Sequence, residues 1–148
     1  MKEGYVVVSY GCRSRANEPV GGSYLGHSPA TMTDTKAAIR YLRHNRKALH
    51  AGDVEKIFIT GTSGGGALST LVAASGNSPD FFPSLYEIGA AGVELENDGT
   101  YSSKDGCGDS VLGVVGYCPI TDLGHACAAY EWLYGDTRSI MYITGEMK

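Results

Sequence analysis

The segment that most constrains the fold joins an apolar run to a helical pattern through a run of glycines. Residues 57–59 (IFI) are apolar, residues 61–66 read GTSGGG, and residues 67–75 carry small apolar side chains at helical spacing before Gly76. A strand that passes directly into a helix must reverse its direction within one or two residues, and glycine tolerates the crowding. The segment therefore predicts a strand, a sharp turn and a helix.

The rest of the chain repeats this alternation. We expect buried strands at residues 5–10, 55–60 and 111–118, and a weaker strand at 140–144. Helices are expected from Thr33, with Asp34 in the first turn, and at residues 67–75, 82–88 and 126–134. Residues 94–110 read as a polar, glycine-rich excursion. Alternating strands and helices predict the α/β class, a parallel sheet with helices on both faces.

The first helix combines an apolar stripe with many cations. Ala38, Ile39, Leu42 and Leu49 form the stripe, and five basic residues lie elsewhere around the helix: Lys36, Arg40, Arg43, Arg46 and Lys47. A charge run of this kind usually faces solvent, and we expect a solvated face here. Arg13 and Arg15 follow the first strand, where a structural ion pair is the commoner role and contact with an acidic or phenolic substrate the alternative.

Composition limits the kinds of partner. The 148 residues fit one domain, 43% of them are hydrophobic, and the net charge is -4, which argues against nucleic acid or an anionic membrane. We expect no signal peptide within residues 1–148, and no apolar run there has the roughly 18 residues that span a membrane. The compartment stays unassigned.

The four cysteines do not form a metal-binding pattern. Cys12, Cys107, Cys118 and Cys127 lack a C-x-x-C spacing, and no histidine lies at a zinc-ligand spacing, so we expect no metal. Cys118 reads as a small core residue. Cys107 and Cys127 are a candidate disulfide pair.

Ser63 is the candidate nucleophile. Gly61-x-Ser63-x-Gly65 matches the turn that exposes a serine hydroxyl between a strand and a helix, and we expect no room for a Cβ at Gly61 or Gly65. The Gly64 N–H would then face a developing oxyanion. A purely structural glycine turn is one alternative. A phosphate-binding loop is another, although Ala67 and Leu68 stand where it needs Lys and Ser or Thr.

These motifs resemble α/β-hydrolases of the carboxylesterase type, in particular the bacterial tannase-like esterases. The likeness is carried by residues 6–15 (VVVSYGCRSR), 34–43 (DTKAAIRYLR), 55–57 (EKI), 61–69 (GTSGGGALS), 118–123 (CPITDL) and 130–132 (YEW). The resemblance implies that residues 5–10 and 57–60 are the fourth and fifth strands of the sheet. Residues 1–148 would then be the central part of one hydrolase domain, with a cap insertion starting near residue 123.

The resemblance also implies a reaction and a missing pair of residues. We expect a serine carboxylic-ester hydrolase that acts on small, aromatic-acyl esters without a cofactor. Its catalytic acid and histidine would follow Lys148, so this chain alone should be inactive. Asp122 and His125 are weak internal candidates, because three residues of separation hinder a bridge to Ser63. A serine peptidase of the same fold and a non-catalytic binding module remain alternatives.

Overall fold

The computed structural model describes residues 4–14, 21 and 25–126. Helix α1 (Ala30–His44) is followed by strand β1 (Phe58–Thr62), helix α2 (Gly64–Ala74), a 3-10 turn (Pro79–Phe81) and helix α3 (Phe82–Glu87). Strands β2 (Val93–Leu95), β3 (Tyr101–Ser103) and β4 (Gly113–Tyr117) complete the described elements. The expected order of α1, β1, α2, α3 and β4 is confirmed, whereas β2 and β3 were not expected.

The central sheet is parallel, as predicted. Strand β1 pairs with β4 in register from Phe58 and Gly113 to Thr62 and Tyr117. Ile59 of β1 is buried in one cluster with Ile39 of α1 and Val72 of α2. Since side chains alternate along a strand, this cluster covers one face of the sheet and joins it to both helices.

Strand β4 is not the buried strand that residues 111–118 predict, because four of its five residues are exposed. Phe58, Val115 and Tyr117 are exposed in the described part of the chain. Cys118, expected in the core, is exposed as well. Both expectations came from the apolar character of residues 111–118, whereas the buried cluster of the described residues that involves the central sheet contains Ile59 of β1 with Ile39 and Val72.

The polar excursion contains a small second sheet. Strands β2 and β3 pair antiparallel and lie within the stretch predicted to lack regular structure. Phe82 and Leu85 of α3 pack with Val93 of β2 and with Tyr101 of β3, and this packing gives the short strands a buried side. Asp98 accepts hydrogen bonds from the Thr100 N–H and hydroxyl, which closes the connection between the two strands.

Residues 5–10 do not form the strand that their sequence predicts. Tyr5 and Val7 are 68% and 66% exposed, and no described strand pairs with this segment. β-branched residues favour a strand only where a neighbouring strand completes the hydrogen bonds. The segment is held instead through side chains, because the Tyr10 hydroxyl donates to Thr35 Oγ1 over 3.0 Å.

Helix α1 begins at Ala30, so Asp34 lies beyond the first turn that was predicted to contain it. The expected solvated face is also wrong for three of its five cations. Lys36 and Arg40 are fully buried and Arg43 is 6% exposed, whereas Arg46 and Lys47 face solvent as expected.

The buried cations of α1 bind groups that are distant in sequence. Lys36 Nζ donates to Asp109 Oδ1 over 2.8 Å and to the Ser75 carbonyl over 2.6 Å. Arg40 Nε donates to Asp109 Oδ2 over 2.7 Å. Arg43 Nη1 donates to the Gly108 carbonyl over 2.7 Å. We call Lys36, Arg40, Arg43 and Asp109 the buried charge cluster.

Several expectations lie outside the described residues. They are the remainder of the helix predicted at 126–134, the strand at 140–144, the cap insertion beyond residue 126, Arg15 and Cys127. Within the described residues, Cys12, Cys107 and Cys118 carry free thiols. No helix in this part of the chain is long and apolar enough to cross a membrane.

Candidate active site at the turn between β1 and α2

Ser63 is the single residue between β1 and α2. Its backbone has φ 56° and ψ -118°, a left-handed conformation that costs an L-residue about 1–3 kcal/mol. The Ser63 N–H donates to the Tyr117 carbonyl of β4 over 2.9 Å, and its carbonyl accepts the Ala67 N–H over 3.0 Å. The side chain is exposed, and its hydroxyl makes no hydrogen bond to any described residue. The turn therefore presents an unpaired hydroxyl to solvent.

The turn leaves no room for a Cβ at Gly61, as predicted. The same prediction for Gly65 is wrong. A Cβ on Gly61 would overlap the Gly65 carbonyl oxygen. A Cβ on Gly65 would meet nothing within 4 Å. The second crowded position is Gly66, where a Cβ would lie 3.1 Å from both Cα and Cβ of Pro119. The G-x-S-x-G pattern misses this contact, although the third consecutive glycine was a visible indication.

The Gly64 amide lies next to Ser63 at the start of α2. The first four N–H groups of a helix have no intrahelical acceptor, and the helix dipole makes this end positive. Gly64 is exposed, and a Cβ there would meet nothing within 4 Å, so the space around it is open. An N–H group in this place is suited to stabilise an oxyanion on an acyl group attached to Ser63.

Asp122 and His125 contact each other beyond the end of β4. His125 Nδ1 lies 2.9 Å from Asp122 Oδ2, and the His125 N–H donates to Asp122 Oδ1 over 3.2 Å. The His125 side chain is 81% exposed and the Asp122 side chain is 66% exposed. Among the described residues, no hydrogen bond joins either side chain to Ser63. The pair caps a local turn.

Arg13 has the structural role that was expected as the commoner one. Its guanidinium binds both carboxylate oxygens of Asp34, with Nη2 2.7 Å from Oδ1, and the Arg13 N–H adds a bond of 2.7 Å to Oδ2. Burial raises the pKa of Asp34, but the hydrogen bonds and charge of Arg13 outweigh it, and the pKa lies below its usual value. This ion pair fixes the segment after residue 10 on α1.

Within residues 4–14, 21 and 25–126, no three His, Cys, Asp or Glu side chains cluster as metal ligands do. The groups that the described structure presents at the turn are a serine hydroxyl and backbone amides. A parallel sheet in which one strand turns into a helix at an exposed serine defines a protein of the α/β-hydrolase type.

The comparison with protein families assigns the chain to a particular group. The model of the BD-FAE family matches residues 1–142, and the chain belongs to this family of α/β-hydrolase-type esterases. The resemblance to tannase-like hydrolases is thereby confirmed at the level of family and fold. No curated protein matches the chain.

Solved structures of tannases are similar to this chain. A Fusobacterium nucleatum tannase is 45% identical, with a TM-score of 0.65, over 84% of this chain and 23% of that one. A Lactobacillus plantarum tannase is 42% identical, with a TM-score of 0.72, over 91% and 26% of the two chains. A tannin acyl hydrolase in complex with ethyl gallate gives the same values. The chain thus spans about a quarter of the length of these proteins.

Proposed function

We propose that this chain carries the nucleophile of a serine carboxylic-ester hydrolase of the tannase-like or feruloyl-esterase-like type. The observation that carries the proposal is the exposed Ser63 hydroxyl, held in a left-handed conformation between β1 and α2. Strain of this kind persists where the surrounding structure enforces it, and it is common at active sites. Membership of the BD-FAE family supports the same reaction class.

In the proposed reaction, Ser63 Oγ attacks the ester carbonyl and forms a tetrahedral oxyanion. The Gly64 N–H donates to that oxyanion. A histidine accepts the Oγ proton and returns it to the leaving alcohol, which gives an acyl-enzyme that water then hydrolyses.

We assign the histidine and its carboxylate to residues other than His125 and Asp122. The His125 ring is held by a carboxylate only three residues before it and makes no hydrogen bond to Ser63 in the described part of the chain. Residues 1–148 alone are therefore expected to show little or no turnover.

The proposed substrates are small esters with an aromatic acyl group. One similar structure is a tannin acyl hydrolase in complex with ethyl gallate, and another is in complex with 3,4-dihydroxybenzoate. Their sequence identities to this chain are 42% and 43%. Ethyl gallate is accordingly the test substrate.

The test is covalent labelling of the full-length protein with a fluorophosphonate, combined with ethyl gallate hydrolysis. Ser63→Ala should abolish labelling and lower kcat at least about a thousandfold, because the nucleophile is lost. Ser78→Ala is the matched control, since Ser78 Oγ binds Asp80 away from the turn. Its labelling should equal that of the parent protein.

The remaining outcomes decide between the alternatives. Turnover of peptides in preference to esters by the labelled protein would identify a serine peptidase. No labelling would contradict the proposal and favour a binding module. Labelling that survives Ser63→Ala would also contradict it, because the reactive nucleophile would then be another residue. Loss of hydrolysis in His125→Ala at unchanged stability would make the internal pair the base.

A further inference from the structure

Two neighbouring strands end on residues with left-handed backbones. Ser63 follows β1 with φ 56°, and Cys118 follows β4 with φ 39°. The residues before them, Thr62 and Tyr117, are register partners in the parallel sheet. The two strained residues therefore lie side by side, and the Tyr117 carbonyl accepts the Ser63 N–H over 2.9 Å.

Pro119, which follows Cys118 beyond the end of β4, contacts the first turn of α2 at Gly66. A Cβ on Gly66 would lie 3.1 Å from Cα and Cβ of Pro119, and a Cβ on Gly116 would lie 3.5 Å from Pro119 Cγ. Proline has a fixed φ, so it cannot easily adjust its backbone to added bulk. Gly66 has no side chain, and this lets the proline approach the helix backbone.

These contacts connect Pro119 to the backbone of Ser63 by two routes. One runs through α2, whose first residue follows Ser63 directly. The other runs from Pro119 through Cys118 to the Tyr117 carbonyl, which holds the Ser63 N–H. A displacement of Pro119 by a few tenths of an ångström would therefore change the position of Ser63 from both sides.

We propose that Gly66 and Pro119 are positioning residues for Ser63. Their contact fixes the end of β4 against α2 and so fixes the left-handed backbone that presents the hydroxyl. A small misplacement of a reacting group can lower a rate by one to two orders of magnitude. This inference rests on the proposed function, because it needs Ser63 to be the nucleophile.

The test compares Gly66→Ala with Gly65→Ala in the full-length protein. Both changes add one methyl group to the first turn of α2, and both replace glycine by a better helix former. The methyl group at residue 66 meets Pro119 at 3.1 Å and the Gly61 carbonyl oxygen at 3.2 Å, whereas the one at residue 65 meets nothing within 4 Å. The pair therefore separates position from helix propensity.

We expect Gly66→Ala to slow fluorophosphonate labelling and to lower kcat by about tenfold or more at an unchanged KM. Its Tm should stay close to that of the parent protein, because the better helix propensity of alanine offsets the cost of the tight contact. Gly65→Ala should stay within about threefold of the parent protein. Pro119→Gly alone should also slow labelling, because it removes the contacting Cβ and frees the backbone that positions Ser63.

Equal labelling rates in the two alanine variants would overturn the inference. So would a loss of rate in Gly66→Ala that only accompanies a loss of Tm, or a Pro119→Gly variant that labels at the parent rate. Failure of the proposed function has a different signature, because the parent protein would then not label or Ser63→Ala would still label.

Discussion

The Ser63 turn and the buried charge cluster differ in the burial and pairing of their polar side chains. At the turn, a strained residue exposes a hydroxyl that has no partner in the described chain. In the cluster, Lys36 and Arg40 are fully buried, and the single carboxylate of Asp109 binds both. Buried charges require partners, whereas a reactive group must keep its acceptor or donor free. The contrast indicates a structural role for the cluster and a chemical role for Ser63.

The buried charge cluster also connects segments that are distant in the sequence. Lys36 reaches the Ser75 carbonyl at the end of α2, and Arg40 reaches Ser103 Oγ at the end of β3 over 3.0 Å. The rings of Phe81 and Phe82 lie 4.7 and 5.4 Å from the two cations. Asp109 is therefore the charge that holds the two cations of α1 where they reach the end of α2 and the end of β3.

The largest predicted effect follows from removing that charge. Asp109→Ala should lower the free energy of unfolding by about 3–5 kcal/mol, because two buried cations lose their common partner. The measurement is urea unfolding followed by circular dichroism. Asp53→Ala is the control, since Asp53 pairs with Lys56 at the surface, where both side chains are more than half exposed. Equal midpoints in the two variants would contradict a structural role for the cluster.

The second effect tests the strain at the turn. Gly61→Ala places a Cβ against the Gly65 carbonyl oxygen, so β1 and α2 cannot keep their present approach. We expect a loss of about 1–3 kcal/mol in the free energy of unfolding, as for other overpacked positions. We also expect the loss of Ser63 labelling by a fluorophosphonate.

Gly11→Ala is the matched control for Gly61→Ala, because a Cβ on Gly11 would meet nothing within 4 Å. It should label at the parent rate and unfold at the parent midpoint. If Gly61→Ala did the same, the turn would be more open than the structure describes, and its strain could not be what presents the hydroxyl.

Both regions also show which structural features could be predicted from the sequence. The turn was predictable because its determinants, a strand, Ser63, Gly61 and a helix, are adjacent in the chain. The contact at Gly66 was not, because its partner is Pro119. Contacts between residues this distant in sequence depend on the register of β1 with β4, which no local pattern specifies.

The same limit explains the wrong expectation for α1. Lys36, Arg40 and Arg43 recur at intervals of four and three residues, the spacing of one helical face, so the sequence did contain an indication of a common environment. The sequence did not indicate that Asp109 would bind the cations on that face of α1. Residues 5–10 fail similarly, because their side chains favour a strand but only a pairing partner can form one.

The smallest effect concerns the ion pair of Arg13 and Asp34, which lies between the two extremes of exposure and burial. Arg13 lowers the pKa of Asp34 in the folded state below its usual 3.8. The pair therefore stabilises the fold fully above about pH 4, and this contribution is lost as the pH falls through the lowered pKa. Arg13→Ala should cost at most about 1 kcal/mol at pH 7, because solvent screens a partly exposed pair.

Urea midpoints of the parent and Arg13→Ala proteins should accordingly differ at neutral pH and converge in acid, below the lowered pKa of Asp34. In an Asp34→Asn background, Arg13→Ala should have little further effect, since the charge that Arg13 pairs with is already absent. A difference that persists unchanged in acid, or in that background, would mean that Arg13 acts through packing. Thr31 Oγ1 donates to the Arg13 carbonyl over 2.6 Å and is unaffected by the substitution, so it holds the backbone equally in all four proteins.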